Sequence, residues 1–276
     1  MYISCLLINT GDNNPDRPRP GRLWLRNLYR VHQRLCIAFP SHESQTDDPE
    51  FLKPFNPDNF PNAHTHEIAV TQKENCNHPM ENHVHAQRDS EEGFLFRIDH
   101  LHGGRAMIVV QSAIRPDWDY AFQNADYLLV CKPKVKHYNP HFETGQVLKF
   151  LLCANPTKRL GKTGTDGKPV RQESLKGKRV PVPAEELTKW LMRKGDKNGF
   201  SVKPEEVVSQ DGYHYFNKGN PHGDDSENQK ARLRHVRFEG ILTVTNTDAF
   251  KKSLTGGIGS AKGFGFGLLS VVPVKN

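Results

Sequence analysis

Between Leu23 and Phe39 the apolar side chains Trp24, Leu28, Val31, Leu35 and Phe39 recur at steps of four, three, four and four. That spacing predicts a helix with a single apolar stripe, which must be laid against another element to be stable. Pro40 ends it, because proline cannot continue the helical hydrogen-bond ladder. The preceding segment Tyr2–Ile8 is rich in β-formers and reads as an opening strand, set off by a Pro/Asp/Asn/Gly loop that runs through Gly21. A strand followed by a striped helix implies a sheet with a helix on one face.

From Ser41 to Glu92 the pattern stops. Pro, Asn, Asp, Glu and His dominate, and only Ile68–Val70 looks strand-like. A connection of this length is read as an insertion or a functional flap. Gly93–Leu101 and Arg105–Ala113 then alternate as the strands of a hairpin around His102–Gly104, and Tyr127–Val135 reads as a further strand. A first domain closes near Tyr138, with His137–Gly145 as the linker. Val147–Ala154 is a strongly apolar strand. A basic Gly/Lys stretch follows, then a helix from Pro183 to Lys194 with Leu187, Trp190 and Leu191 on one face. After a polar stretch come a strand at His235–Thr245, a short helix near Thr247–Leu254, a glycine-rich turn and a last strand at Gly267–Val274. Two mixed α+β units, each a helix-backed antiparallel sheet, fit this order.

No run of about 18 apolar residues is present, so no membrane span is expected. The N-terminal MYISCLLIN lacks the basic start and cleavage site of a signal peptide. Five scattered cysteines suggest buried thiols in a reducing cytosol. The net charge of +7 is uneven: residues 41–92 hold 3 Lys/Arg against 11 Asp/Glu, leaving 35 basic and 20 acidic side chains elsewhere. A body that basic favours a polyanion through counterion release, although a merely soluble basic surface has the same composition.

Four constellations carry possible chemistry. Tyr29 and His32, three residues apart, share one flank of the helical stripe. Imidazole moves protons near neutral pH, and RNA cleavage needs one group to take the 2′-OH proton and another to protonate the leaving 5′ oxygen. Arg30 and Arg34 are placed to hold phosphate. The bland alternative is a structural histidine. The loop Gly256–Gly267, with Gly257, Gly259, Lys262, Gly263 and Gly265, exposes backbone N–H groups and permits positive φ, so it is suited to a phosphate; otherwise it is a flexible connection. It lacks the Lys-Ser/Thr ending of a Walker A loop, and a strand follows it, not the helix of a dinucleotide fingerprint. The stretch Lys158, Arg159, Lys162, Lys168, Arg171, Lys176, Lys178 and Arg179, opposed by Asp166 and Glu173, is loop-like or hairpin-like and suits a nucleic-acid groove, or is a solvated charged loop. Finally His64, His66, Cys76, His78, His83 and His85 offer zinc-type ligands, but in no standard finger spacing; no metal is assigned.

In order along the chain, the segments Met-Tyr-Ile-Ser, Asn27-Leu28-Tyr29-Arg30-Val31-His32-Gln33, Leu35 to Phe39-Pro40, Gly93-Phe94-Leu95-Phe96-Arg97, Val110-Gln111-Ser112, Ala154-Asn155-Pro156-Thr157-Lys158, Arg179-Val180-Pro181-Val182, Phe238 to Val244, and Gly257 to Ser270 resemble the CasE family of CRISPR-associated endoribonucleases. The resemblance implies two tandem ferredoxin-like (RRM-like) domains, residues 1–138 with the long polar insertion 41–92, and residues 145–276. It implies recognition of a CRISPR repeat stem-loop and one cut at the base of the stem, leaving a 2′,3′-cyclic phosphate and a 5′-OH. The protein would then stay on the mature crRNA as a subunit of Cascade beside the other subunits, in the cytoplasm, with no cofactor and no membrane. By motif position His32 matches the family's catalytic histidine, Tyr29 its active-site tyrosine, and Gly257–Gly267 its signature loop near the RNA. Two departures stand out: the insertion is longer than the family usually carries, and a supporting lysine seen in some relatives is replaced by Ile37. Charge stabilisation would then fall to Arg30, Arg34 or Lys262. The rival readings are a non-catalytic RNA-binding subunit of the same fold, a metal-dependent phosphoesterase using the histidine-rich insertion, and a purely structural assembly subunit.

Overall fold

The computed structural model describes residues 1–11, 20–39, 93–159, 179–217 and 230–274. The chain falls into two compact units, Met1–Asn139 and Pro140–Asn276.

In the first unit, β1 (Tyr2–Ile8) leads to α1 (Pro20–Arg26) and α2 (Leu28–Ile37), then to β2 (Phe94–His100), β3 (Ala106–Ser112), α3 (Trp118–Phe122) and β4 (Lys134–His137). The sheet is wholly antiparallel with strand order β2-β3-β1-β4. Alternation along β1 sends Ser4, Leu6 and Ile8 into the interior. There they meet Val31, Leu35, Phe96, Ile108 and Val110, all fully buried. The stripe on α2 is therefore the cover of this sheet.

The single helix expected over Leu23–Phe39 is two helices. Asn27, in an extended conformation (φ −107°, ψ 90°), separates them and caps the second, its side chain accepting from the Arg30 N–H at 3.2 Å. Such a cap contributes about 1 kcal/mol and satisfies an amide that the helix start would otherwise leave unpaired. The strand expected over Tyr127–Val135 is also interrupted. A 3₁₀ turn occupies Asp126–Leu128, a lone bridge joins Ile8 to Leu129, and regular pairing resumes only at β4. Its apolar residues Leu128 and Leu129 belong to the core cluster without belonging to a strand.

In the second unit, β5 (Val147–Ala154) is followed by β6 (Thr157–Arg159), β7 (Arg179–Pro181), α4 (Leu187–Lys197), β8 (Phe200–Asn217), β9 (Lys230–Val244), α5 (Thr247–Gly256) and β10 (Leu269–Pro273). Its main sheet has order β10-β5-β9-β8, again antiparallel. Phe200, Phe238, Phe250, Leu148, Leu152 and Leu191 fill the space between sheet and helices.

The polar stretch after α4 is in fact the long strand β8. Beyond the core its pairing with β9 is held by polar contacts in place of apolar alternation. The Arg234 guanidinium donates from Nε to both Asp211 oxygens, at 2.9 and 3.1 Å, and from Nη1 to the Val182 carbonyl, while the Arg232 guanidinium lies 3.5 Å above the Tyr213 ring centroid. The Arg234 guanidinium holds the Asp211 carboxyl below its usual range.

No helix among the described residues is long and apolar enough to cross a membrane.

Candidate active site

Helix α2 carries Tyr29, Arg30, His32 and Arg34, and the structure gives each a different setting. The His32 ring is half-buried at the edge of the first core. It stacks on Phe94 (centroids 5.5 Å apart, planes 27°) and on Phe96 (6.2 Å, 22°), both from β2. Its Nε2 lies 3.5 Å from the Cys36 Sγ, one helical turn onward. The two aromatic faces and the thiol at Nε2 hold the ring against the core, and Nδ1 is buried.

Tyr29, one turn before, is 42% exposed, so its phenol stands in solvent beside the histidine's helix face. Arg30 is exposed on the same turn. Arg34 is not placed as the sequence suggests. Its Nη1 donates to the Ala121 carbonyl at 3.0 Å and to Asn124 Oδ1 at 2.8 Å, and burial lowers the guanidinium's pKa. It braces α2 against the end of α3. Buried and held at Nη1 by these two bonds, Arg34 is placed as a brace and not, as expected, as a phosphate clamp.

In the second unit the two ends of the basic stretch pair as strands, Lys158 opposite Val180 and Arg159 opposite Arg179. Lys158 Nζ reaches Glu186 Oε2 at 3.0 Å, while Arg159 and Arg179 are exposed. Lys162, Lys168, Arg171, Lys176 and Lys178 lie outside the described residues, as do Ile68–Val70, His64, His66, Cys76, His78, His83 and His85. Among the described residues no cluster of His, Cys, Asp and Glu could hold a metal.

The glycine-rich loop closes on itself. Gly257 donates its N–H to Ser253, Gly265 to Lys262 and Gly267 to Cys153, and Ile258 donates to Gly267. These amides are not the phosphate donors expected from the glycine content, because a loop this tight must satisfy its own backbone first. Gly263 sits within the short 3₁₀ turn Lys262–Phe264. Gly267, at φ 91°, needs to be glycine: a Cβ there would stand 3.0 Å from the Ile258 carbonyl oxygen. Ser260 fastens the loop to the start of β6, its Oγ donating to Asn155 O at 3.0 Å and lying 3.2 Å from Thr157 Oγ1. What the loop presents outward is chiefly Lys262, whose Nζ also donates to the Gly256 carbonyl.

Three parts of this arrangement were missed from sequence: the ring platform of Phe94 and Phe96, the Cys36 contact, and the burial of Arg34. The His32/Cys36 spacing of four on a helix was a readable signal. The other two were not, since β2 and α3 approach α2 only through the fold.

Residues 78–273 match the family model described as CRISPR associated protein. The CRISPR-associated endoribonuclease Cse3 of Thermus thermophilus is 32% identical over 195 residues, covering 68% of this chain and 83% of that protein. The CRISPR system Cascade subunit CasE of Escherichia coli K12 is 28% identical over 280 residues, covering 99% of this chain and all of its own. Among solved structures, CRISPR endoribonuclease Cse3 bound to a 19-nucleotide RNA superposes with a TM-score of 0.62 at 25% identity, over 99% of this chain and 100% of that one. The chain belongs to the CRISPR-associated protein family, as an endoribonuclease of the CasE type.

Proposed function

We propose that this protein binds the stem-loop of a CRISPR repeat RNA and cuts it once at the base of the stem, producing mature crRNA to which it stays bound as a Cascade subunit. The observation that carries the reading is the helix α2 pair: a half-buried His32 whose ring is oriented by Phe94, Phe96 and Cys36, with the exposed Tyr29 one turn away. Relatives named for endoribonuclease activity and for Cascade membership support it.

In the proposed mechanism the nucleophile is the substrate's own 2′-OH. His32 serves as general base or general acid, Tyr29 positions the ribose or the phosphate, and Arg30 offsets negative charge on the phosphorane. Attack of the 2′ oxygen on the adjacent phosphorus breaks the P–O5′ bond. The 2′ proton leaves to a base, and a proton is delivered to the departing 5′ oxygen. The products are a 2′,3′-cyclic phosphate and a 5′-OH, and no step requires a metal.

The strand orders β2-β3-β1-β4 and β10-β5-β9-β8, each with helices after the first and third strands in chain order, support reading both units as ferredoxin-like domains, over residues 1–138 and 145–276. Among the described residues Cys5, Cys36, Cys131 and Cys153 are not in disulfides, which fits the proposed cytoplasmic setting. In the second unit the hairpin stem of Arg159 and Arg179, with Lys262 on the glycine loop, would hold the RNA by its phosphates, A-form shape doing most of the selection.

The test is cleavage of a labelled repeat stem-loop in excess EDTA. We expect a single cut at an undiminished rate, with a 3′ end that resists further extension until the cyclic phosphate is removed. Loss of cutting in EDTA with recovery on adding zinc would overturn the metal-free mechanism. Tight binding without any cut would leave a non-catalytic RNA-binding subunit.

A further inference from the structure

Stacking fixes the plane of the His32 ring and leaves open which of its edges meets a substrate. The ring lies nearly parallel to Phe94 and Phe96, at 27° and 22°. Half a turn about the Cβ–Cγ bond keeps that plane, so the two phenylalanines accept either flip almost equally. The flip nevertheless exchanges Nδ1 with Cδ2 and Nε2 with Cε1, and only a nitrogen can carry the proton. A polar neighbour has to make the choice.

That neighbour is Cys36. One helical turn beyond His32 and only 6% exposed, it sets Sγ 3.5 Å from Nε2, within the range of a sulfur hydrogen bond. In this flip Nδ1 is buried, although the ring as a whole is half-buried. Nε2 is then the nitrogen that a substrate oxygen can approach. A thiol is a weak donor and its sulfur a weak acceptor, so a ribose or phosphate oxygen can take its place at Nε2.

We infer that Nε2 of His32 is the nitrogen that exchanges a proton with the RNA, and that Cys36 is a positioning residue that selects this flip and yields Nε2 to the substrate. The inference rests on the RNA-cleaving function proposed above and deepens it. Cys36 acts through His32 and carries no proton to the RNA itself.

The test uses the full-length protein as wild type, Cys36→Ala, Cys36→Val and His32→Ala. Cys36→Val refills the buried space with apolar atoms and cannot hydrogen-bond, so it separates packing from positioning. Three quantities are read: affinity for a labelled repeat stem-loop, single-turnover cleavage at saturating RNA, and the ¹⁵N signals of the His32 ring, identified by their loss in His32→Ala. Both Cys36 variants should bind within about two-fold of wild type and cut roughly 3- to 10-fold more slowly, the population change that one lost hydrogen bond produces. Their ring signals should depart from wild type in the same direction. In the wild type, adding a stem-loop with a 2′-deoxy nucleotide on the 5′ side of the scissile bond should move the Nε2 signal and leave Nδ1 nearly where it was.

Wild-type cleavage and ring signals in Cys36→Val would overturn the inference and make Cys36 a packing residue. A shift confined to Nδ1 on adding the deoxy stem-loop would overturn it even if neither variant folded, because the buried nitrogen would then be the one that meets the RNA. Undiminished cutting by His32→Ala would count instead against the functional reading, a result distinct from both.

Discussion

Replacing His32 by alanine is expected to lower the cleavage rate by about 10²- to 10⁴-fold, the usual contribution of a positioned general acid or base, while RNA affinity should change little. The two effects should separate because His32 lies at the edge of the first core, whereas Arg159, Arg179 and Lys262, proposed to hold the RNA phosphates, belong to the second unit. His32 stacks on Phe94 and Phe96, so its removal also loosens local packing. A thermal melt of the variant therefore accompanies the assay. A folded variant that binds and does not cut is the expected result. A variant that cuts at the wild-type rate makes the histidine structural.

The second large effect is expected at Phe96. This side chain is fully buried, stacks under the His32 ring, and belongs to the core shared by β1, β2, β3 and α2. Phe96→Ala removes a whole aromatic ring, which costs about 3–5 kcal/mol through lost burial and an unfilled cavity. In a chain of this size that lowers the melting temperature by roughly 10 °C. It also frees the imidazole from an aromatic contact, so cleavage by the molecules that remain folded should fall as well. Phe96→Leu, which keeps much of the volume, should recover most of the stability and only part of the rate. Equal recovery of both would mean that Phe96 acts through stability alone.

The sequence was legible where burial imposed a period. The four-three-four-four spacing from Trp24 to Phe39 gave the helical cover of the first sheet, and the strongly apolar stretch Val147–Ala154 gave β5 with the bounds observed. The break at Asn27 was less visible, because a single cap residue inside a regular stripe does not disturb its period. Strand β8 was not visible at all. Its outer half lies beside β9 with diagonal side-chain contacts from Asp211 to Arg234 and from Tyr213 to Arg232, and it lacks the apolar alternation that marks a half-buried strand.

The site divides in the same way. His32 and Tyr29 could be named from residue type and spacing. The two phenylalanines that orient the ring stand more than sixty residues away and meet it only through the pairing of β2 with β3 and β3 with β1. Arg34 had the composition of a phosphate ligand and is a brace, because Ala121 and Asn124 reach it first. Glycine content suggested open amides. The loop uses several of them internally, and Lys262 is left as its main outward charge.

The central claim is that the substrate supplies its own nucleophile and the protein supplies proton transfer and charge. It is tested most directly by a repeat stem-loop carrying a single 2′-deoxy nucleotide on the 5′ side of the scissile bond, incubated with the wild-type protein. Binding as tight as that of the all-ribose RNA, with no cleavage, is the expected result. Cleavage of the deoxy substrate at the same bond would contradict it, since the attacking oxygen would then have to come from water.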